Sequence, residues 1–256
     1  MKRMILISAL VLMPMLTNAG WIRTYEINQL SIGRSVRQTA DGGYIIAGQC
    51  GDENQSDLLL IKTDSLGDTM WTRIYGGGDS DVGRCVQKTN DGGYIISGFA
   101  NVEADMWPMG DIWLLKTDAN GDTIWTRFYR GGSCAWGGWV EQTSDGGYIL
   151  TSNWNSAYLL LLKTDENGNT MWSKNYQWGD NWEIGYCVRQ TWDGGYIVAT
   201  NLGLFKTDEN GDSVWLKPWA GHFVALTDDG SYFVLSGQNN DMWLIKTDEQ
   251  GDTLWT

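Results

Sequence analysis

The chain has 256 residues, and its 18 lysines and arginines against 31 aspartates and glutamates give a net charge of −13. A protein that binds nucleic acid needs a basic footprint, and so does one that binds an anionic membrane surface. The composition is the opposite, so we expect neither partner. A strong negative charge suits solubility outside a cell or the binding of cations.

The first 19 residues predict a secretory signal peptide. Lys2 and Arg3 form a basic start, an apolar stretch follows, and Ala19 stands before an expected cut at Gly20. The apolar stretch is too short for a spanning helix, so the alternative of an uncleaved membrane anchor is disfavoured. We therefore expect residues 20–256 to form a single secreted domain that is not inserted in a membrane. It would be extracellular or at the cell surface, with the periplasm as another possible location.

Two short motifs then alternate along the chain. Asp-Gly-Gly-Tyr starts at Asp41, Asp91, Asp145 and Asp193, with a degenerate copy at Asp229, and Lys-Thr-Asp starts at Lys62, Lys116, Lys163, Lys206 and Lys246. Repetition at intervals of a few tens of residues is typical of stacked or radial repeat architectures. Most residues of this chain are therefore explained by architecture before any activity is considered.

Each repeat contains four strand-like runs, which we name a, b, c and d. In the first copy they are residues 34–38, 44–48, 57–63 and 69–75. Asp-Gly between a and b is a strong hairpin signal, because glycine accepts a positive φ. Asp-x-x-Gly-Asp between c and d is a second turn. No run after the signal has helical spacing. The pattern predicts an all-β fold, a β-propeller of about five four-stranded antiparallel blades.

The two ends of the mature chain predict how the ring closes. Residues 21–25 read as a d strand that no a, b or c strand precedes, and residues 251–256 read as the start of another d strand. Together they would supply one strand, so we expect closure by the N- and C-terminal strands. A truncated gene is the alternative.

The four cysteines are interpreted as small hydrophobic residues. Cys85 and Cys187 occupy the same position of repeats two and four, which should separate them too far for a disulfide. A pair between Cys50 and Cys134 stays open.

The segments DGGYIIAG, DGGYIISG, LLKTDANGDTIW and LIKTDEQGDTLW resemble the repeats of secreted bacterial proteins of the quinoprotein-like (PQQ-like) β-propeller class. The resemblance covers essentially all of residues 21–256. It implies export and a propeller fold, but no single established activity, and it transfers no catalytic residue. A quinone dehydrogenase would need a dedicated cofactor and metal pocket, and the sequence has no signature of one, so we expect no cofactor.

Binding residues are expected where the repeats differ. The a–b and c–d turns are nearly identical between copies, whereas the b–c and d–a connections vary, and variable loops over a uniform frame are typical of binding surfaces. The variable connections contain Trp107, Trp136, Trp154, Trp178 and Trp182. These rings suit contact with a sugar or a protein; the alternative is that they cap the ends of blades.

A second candidate set follows the glycine that opens strand a, where the five repeats have Arg34, Arg84, Gly138, Tyr186 and His222. If strand a is innermost, these residues converge near the axis on the variable face. The alternative is that they are solvated strand ends. Trp139, the next residue of the third copy, is assigned to the core. His222 is the only histidine, which does not suffice for a zinc site, and any other metal stays unknown.

The sequence thus predicts a secreted, monomeric, non-catalytic module that binds a glycan or a protein through its variable face. The alternative is a secreted glycosidase-like enzyme with an acidic site over the axis, which would need two carboxylates such as Glu141 and Glu183.

Overall fold

The computed structural model describes residues 21–27, 30–52, 55–102, 110–129, 137–154, 157–179, 182–218, 220–238 and 241–256. The predicted signal peptide and Cys134 lie outside these ranges. In the part of the chain that is described, no helix is long and apolar enough to cross a membrane.

The described residues form twenty strands in five four-stranded antiparallel sheets. The strands are β1 Leu30–Gln38, β2 Tyr44–Gly51, β3 Ser56–Thr63, β4 Thr69–Tyr75; β5 Ser80–Lys88, β6 Tyr94–Val102, β7 Asp111–Thr117, β8 Thr123–Tyr129; β9 Gly137–Gln142, β10 Tyr148–Trp154, β11 Tyr158–Thr164, β12 Thr170–Tyr176; β13 Gly185–Gln190, β14 Tyr196–Thr200, β15 Leu204–Thr207, β16 Ser213–Lys217; β17 Phe223–Leu226, β18 Tyr232–Gln238, β19 Asp241–Thr247 and β20 Thr253–Trp255. Each sheet is one repeat in the order a-b-c-d. The predicted all-β propeller of five four-stranded blades is confirmed.

The b and c strands are apolar on both faces because the blades pack face to face against their neighbours. Leu60, Leu114, Leu161 and Leu204 hold one copied position of strand c, and all four are buried in clusters shared with the following blade. Val86, Val140, Val188 and Val224 hold one copied position of strand a, and they are buried against the preceding blade. Four equivalent apolar interfaces therefore join the five blades.

The two motifs meet through an ion pair inside each blade. Lys62 of strand c places its ammonium 2.8 Å from Asp41 of the a–b turn and 2.7 Å from the Thr63 carbonyl oxygen. The same Lys–Asp pair recurs at 2.8 Å in the next three blades. Both turns of a blade therefore lie at one end of the sheets, which we call the turn face. The opposite end, with the b–c and d–a connections, is the loop face.

This ion pair explains the second glycine of the Asp-Gly-Gly-Tyr motif. A Cβ on Gly43 would lie 2.1 Å from the Thr63 carbonyl oxygen and 2.8 Å from the Lys62 ammonium nitrogen. The fifth copy has Ser231 at this position, and its ion pair is longer: Lys246 lies 3.1 Å from Asp229. The copy that lacks the second glycine thus has the longer distance between its lysine and its aspartate.

The aspartates of these pairs predict an acid-sensitive fold. Burial disfavours the charged form of Asp91, but hydrogen bonds from Lys116, Thr89 and the Gly93 N–H outweigh it and lower its pKa to about 2. A lowered carboxyl pKa gives stability that is present above the unfolded value, about 3.9, and is lost as the pH falls through the folded value. We therefore expect the free energy of unfolding to fall steadily from about pH 4 to pH 2.

Urea unfolding at a series of pH values tests this expectation. Asp91→Asn is the matched variant, because the amide removes the titrating group and keeps an acceptor for Thr89 and Gly93. It should be less stable than the parent at pH 7, and the difference should shrink towards pH 2. An equal pH slope in both proteins would contradict the assignment.

The d strand joins neighbouring blades at their outer edge. Trp71 lies 6.3 Å from the Tyr94 ring of the next blade, the Tyr75 hydroxyl donates to the Gly121 carbonyl at 2.5 Å, and the Arg73 guanidinium lies 5.5 Å from the Trp71 ring centroid. Equivalent Trp–Tyr contacts recur at the three later interfaces. The predicted outer strand, with its tryptophan wedged between neighbours under a cation, is confirmed.

The N-terminal segment mimics a d strand on the first blade. Trp21 packs edge-on against Tyr44 at 5.8 Å, and the Tyr25 hydroxyl donates to the Gly67 carbonyl at 2.7 Å. Residues 21–27 form no strand, however, and β20 pairs with β19 only at Lys246 and Thr247. Closure of the ring by the two chain ends is not shown and stays a prediction.

Candidate ligand-binding site at the propeller axis

The variable position of strand a is a β-bulge. In the first blade Gly33 pairs with Gly48 and Ser35 pairs with Ala47, so Arg34 between them has no opposite residue. The same shift leaves out Arg84 in the second blade, Gly138 in the third and Tyr186 in the fourth. A bulge adds one residue to a strand and re-aims its side chain, and such bulges are over-represented at rims and next to binding sites.

The fifth blade has an equivalent irregularity. The His222 N–H donates to the Leu235 carbonyl at 2.8 Å, while Leu235 also pairs with Phe223. All five copies of this position thus stand outside the regular ladder. The frame repeats, while the side chain at the bulge varies among the blades.

These five positions form a contiguous arc, which we call the axial ring: Arg34, Arg84, Gly138, Tyr186 and His222. A Cβ on Gly138 would lie 3.3 Å from the Arg84 Cβ, and the Tyr186 and His222 rings lie 4.7 Å apart, tilted by 35°. Positions from neighbouring blades are therefore side by side, as the sequence predicts.

The two arginines of the axial ring influence one another. Burial is the main cause that lowers the pKa of Arg84, to about 10, and the Arg34 charge lowers it further. The Arg34 guanidinium donates to Gln49 at 3.2 Å, and the Arg84 guanidinium lies 6.0 Å from the Phe99 ring centroid. Positive charge is thus concentrated on one side of the axial ring, in a chain whose total charge is negative.

Trp139 fills the axis next to the axial ring. The guanidinium groups of Arg37 and Arg189 lie 5.0 and 5.1 Å from its ring centroid, and Phe223 packs edge-on at 5.6 Å. Arg189 is in turn held by Glu141 at 2.7 Å. Residues of four blades therefore meet at one indole ring, which confirms its assignment to the core.

The tryptophans of the variable connections lie in different environments. Trp178 stacks on Tyr176 at 5.9 Å and meets Phe205 edge-on at 4.5 Å, so it is built into the core as a blade cap. Trp182 is exposed, and its carbonyl accepts a hydrogen bond from Asn201 at 2.7 Å. Trp107 and Trp136 lie outside the described residues, and so does the side chain of Trp154 in β10.

The two candidate acids of the enzyme alternative are engaged elsewhere. Burial raises the pKa of Glu141 against the opposing charge of Arg189. Glu183 is fully buried, and its Oε1 accepts the Trp178 backbone N–H. Neither carboxylate stands in the bulge position. Among the described residues no group of three or more His, Cys, Asp or Glu side chains could hold a metal ion.

Sequence reasoning located the axial ring but missed what shapes it. The bulge could not be recognised in the pattern of strand a. One extra residue only shifts, by one position, the alternation of side chains between the two faces of the sheet. The contacts of Trp139 with Arg37 and Arg189 were also missed, since they join three blades that are far apart in the chain. The thiols of Cys85 and Cys187 are buried and lie 3.8 and 3.6 Å from the carbonyls of Val140 and Val224, in agreement with their interpretation as small core residues.

Comparison with known proteins identifies the fold. No family model matches the sequence, and no curated protein is similar to it. A protein of unknown function from Bacteroides caccae has a TM-score of 0.62 at 12% identity, over 90% of this chain and 83% of the other. Virginiamycin B lyase from Staphylococcus aureus has a TM-score of 0.55 at 14% identity, over 88% and 70%. A family PL25 ulvan lyase has a TM-score of 0.56 at 11% identity, over 91% and 71%.

These similar structures differ in what they do. Two are lyases, and another with a TM-score of 0.56 is the extracellular domain of a Bacteroides thetaiotaomicron two-component system; this chain covers 30% of it at 10% identity. Proteins with different roles therefore share the fold, and one of them is an extracellular domain. This chain has the β-propeller fold, and its function has to be argued from its own residues.

Proposed function

We propose that this protein is a secreted, non-catalytic binding module that holds a glycan or a protein at the axial ring on its loop face. The observation that carries the proposal is the bulge, where one copied position has four residue types in five blades. A single asymmetric ligand needs such a set, whereas a purely structural frame has no use for it.

The chemistry of the axial ring suits binding better than hydrolysis. It presents guanidinium, phenol and imidazole groups, whereas Glu141 and Glu183 are tied to Arg189 and to the Trp178 backbone. A glycosidase needs two carboxylates about 5 to 9.5 Å apart beside the scissile bond. Binding without turnover is the simpler role for this arrangement.

Alanine at Tyr186 tests the proposal. The substitution removes one of the two neighbouring aromatic rings, and we expect the affinity for the ligand found on an array of glycans and proteins to fall by roughly tenfold or more. The matched control is Trp192→Ala, because Trp192 is a largely exposed aromatic residue of an a–b turn on the opposite face. The affinity of this control variant for the ligand should be unchanged.

Two results would speak against this function. Equal losses in the two variants would mean that the axial ring is not the contact surface. Breakdown of the bound glycan by the purified protein would favour the enzyme alternative. Circular dichroism of both variants should match the parent, which confirms that folding is intact.

We also propose export through the signal at residues 1–19 and membership in the secreted repeat family that the motifs resemble. The propeller fold, which this chain shares with an extracellular bacterial domain, supports both proposals. N-terminal sequencing of the exported protein is the test: a first residue other than Gly20 would contradict the expected cut.

A further inference from the structure

We propose that the axial ring, if it is the binding surface argued above, recognises a uronic acid: a sugar ring that carries one carboxylate. The guanidinium groups of Arg34 and Arg84 would hold the carboxylate, and the rings of Tyr186 and His222 would contact the sugar. The proposal rests on the placement of these two pairs on the two sides of Gly138.

The arginine pair is the first step of the argument. Two like charges from adjacent blades stand in the same copied position, and the charge of Arg34 disfavours the charged form of Arg84. A bound anion would relieve this repulsion. The guanidinium group matches a carboxylate in geometry, since two parallel N–H groups can reach both oxygens, and such charge-assisted hydrogen bonds are about twice as strong as neutral ones.

Gly138 is the second step. It stands in the axial ring between the arginine pair and the aromatic pair. It has a φ of +99°, which disfavours a side chain, and a Cβ there would make a tight contact of 3.3 Å with the Arg84 Cβ. The third blade therefore contributes no side chain at this point. The backbone of the third blade therefore lies close against Arg84, and no side chain of this position stands between the arginine pair and the aromatic pair.

The aromatic pair is the third step. Tyr186 and His222 lie 4.7 Å apart at a tilt of 35°, with His222 exposed. Ligand sites combine a few placed polar groups with aromatic surface. A sugar ring that bears a carboxylate uses both halves of the axial ring, whereas an acidic peptide carries its carboxylate on a flexible stem and offers no ring to the aromatic half. A uronic acid is therefore the better fit.

Calorimetric titration with oligogalacturonate and with the same oligomer after reduction of its carboxyl groups tests the proposal. The two probes differ only in the carboxylate. We expect the acidic probe to bind at least about tenfold more tightly, a difference of about 1.4 kcal/mol. Arg34→Gln and Arg84→Gln should each abolish most of this preference and leave the affinity for the reduced probe unchanged. Arg34 is exposed, so its variant should fold even if Arg84→Gln does not.

Arg73→Gln is the matched control, because this d-strand arginine lies on the outer edge of its blade over Trp71. It should keep the full preference. Equal affinity for the two probes, or a preference that survives the loss of both arginines, would overturn the uronate assignment. Equally tight binding of polyglutamate would overturn it in favour of an acidic peptide. Binding of both sugars that depends on Tyr186 would still leave the binding function standing, whereas binding of no glycan or protein would refute that function.

Discussion

Replacing Leu60 with alanine is expected to lower the free energy of unfolding by about 3 kcal/mol, whereas the same change at Leu244 should cost well under 1 kcal/mol. Both leucines occupy one position of strand c, two residues before the repeated lysine. Leu60 is 0% exposed between the first two blades, beside Val86 and Tyr94. Leu244 is 49% exposed on the last blade. The pair therefore compares one side chain in one local environment, with and without a following blade.

The physical reason is the cavity term. A leucine enclosed by neighbours cannot be truncated without leaving a void, and the cost rises with the volume that stays empty. A half-exposed leucine leaves no void, because water fills the space. The equivalent valines of strand a show the same contrast at the other end of the chain. Val36 of the first blade is 51% exposed, whereas the valines at this position of the other four blades are buried.

Chemical denaturation of both variants measures the difference. Leu114→Ala is a second buried reference, since Leu114 is the equivalent residue between the second and third blades. If Leu244→Ala costs as much as Leu60→Ala, the last blade is covered in solution, as ring closure requires. That result would contradict the exposure of Leu244 in the structure and support closure by the chain ends.

The strands and turns could be predicted from the sequence because their causes are local. In the first copy the predicted d strand matches Thr69–Tyr75, and the a and b strands are longer than predicted at the loop-face end. The first glycine of the a–b turn has the positive φ that the motif implies: Gly42 stands at +81°. A turn is decided by two or three neighbouring residues, so its signal survives in a single sequence.

The link between the two motifs could not be predicted with the same ease. The Lys62–Asp41 pair joins strand c to the a–b turn, and it forms only because strands b and c bring their ends together. The sequence predicts that both turns lie on one face, and this topology brings the lysine and the aspartate to the same end of the blade. The sequence does not show how deeply the lysine is buried. The Lys62 side chain is almost fully buried, whereas Asp41 is half exposed.

The candidate site was predicted in position but not in chemistry. A copied position with four residue types in five blades is visible in the sequence, and the structure places Gly138 beside Arg84 and Tyr186 beside His222. Its electrostatic character is a tertiary property, because it depends on the burial of Arg84 and on the approach of Arg34 from another blade. Of the two carboxylates named for the enzyme alternative, Glu141 is paired with Arg189, and one oxygen of Glu183 accepts a backbone N–H.

The second large effect is expected at the axis, where Trp139→Ala should lower the free energy of unfolding by about 3 kcal/mol or more. The indole ring separates the guanidinium groups of Arg37 and Arg189, and it also packs on Phe223. Its removal leaves a cavity shared by four blades. It also removes the aromatic surface between two like charges, so packing and electrostatics act in the same direction.

Two further variants separate these contributions. Trp139→Leu restores part of the volume without the aromatic ring, so the deficit that remains reports the cation–π contacts, about 0.5 to 2 kcal/mol each. Trp192→Ala removes an exposed tryptophan of the turn face and should cost less than about 1 kcal/mol. Thermal and urea unfolding of the three variants give the comparison. If the Trp139→Ala protein were as stable as Trp192→Ala, the arrangement of the blades would not depend on a filled axis. The axial ring would then lack the rigid support that its arrangement of arginines and aromatic rings requires.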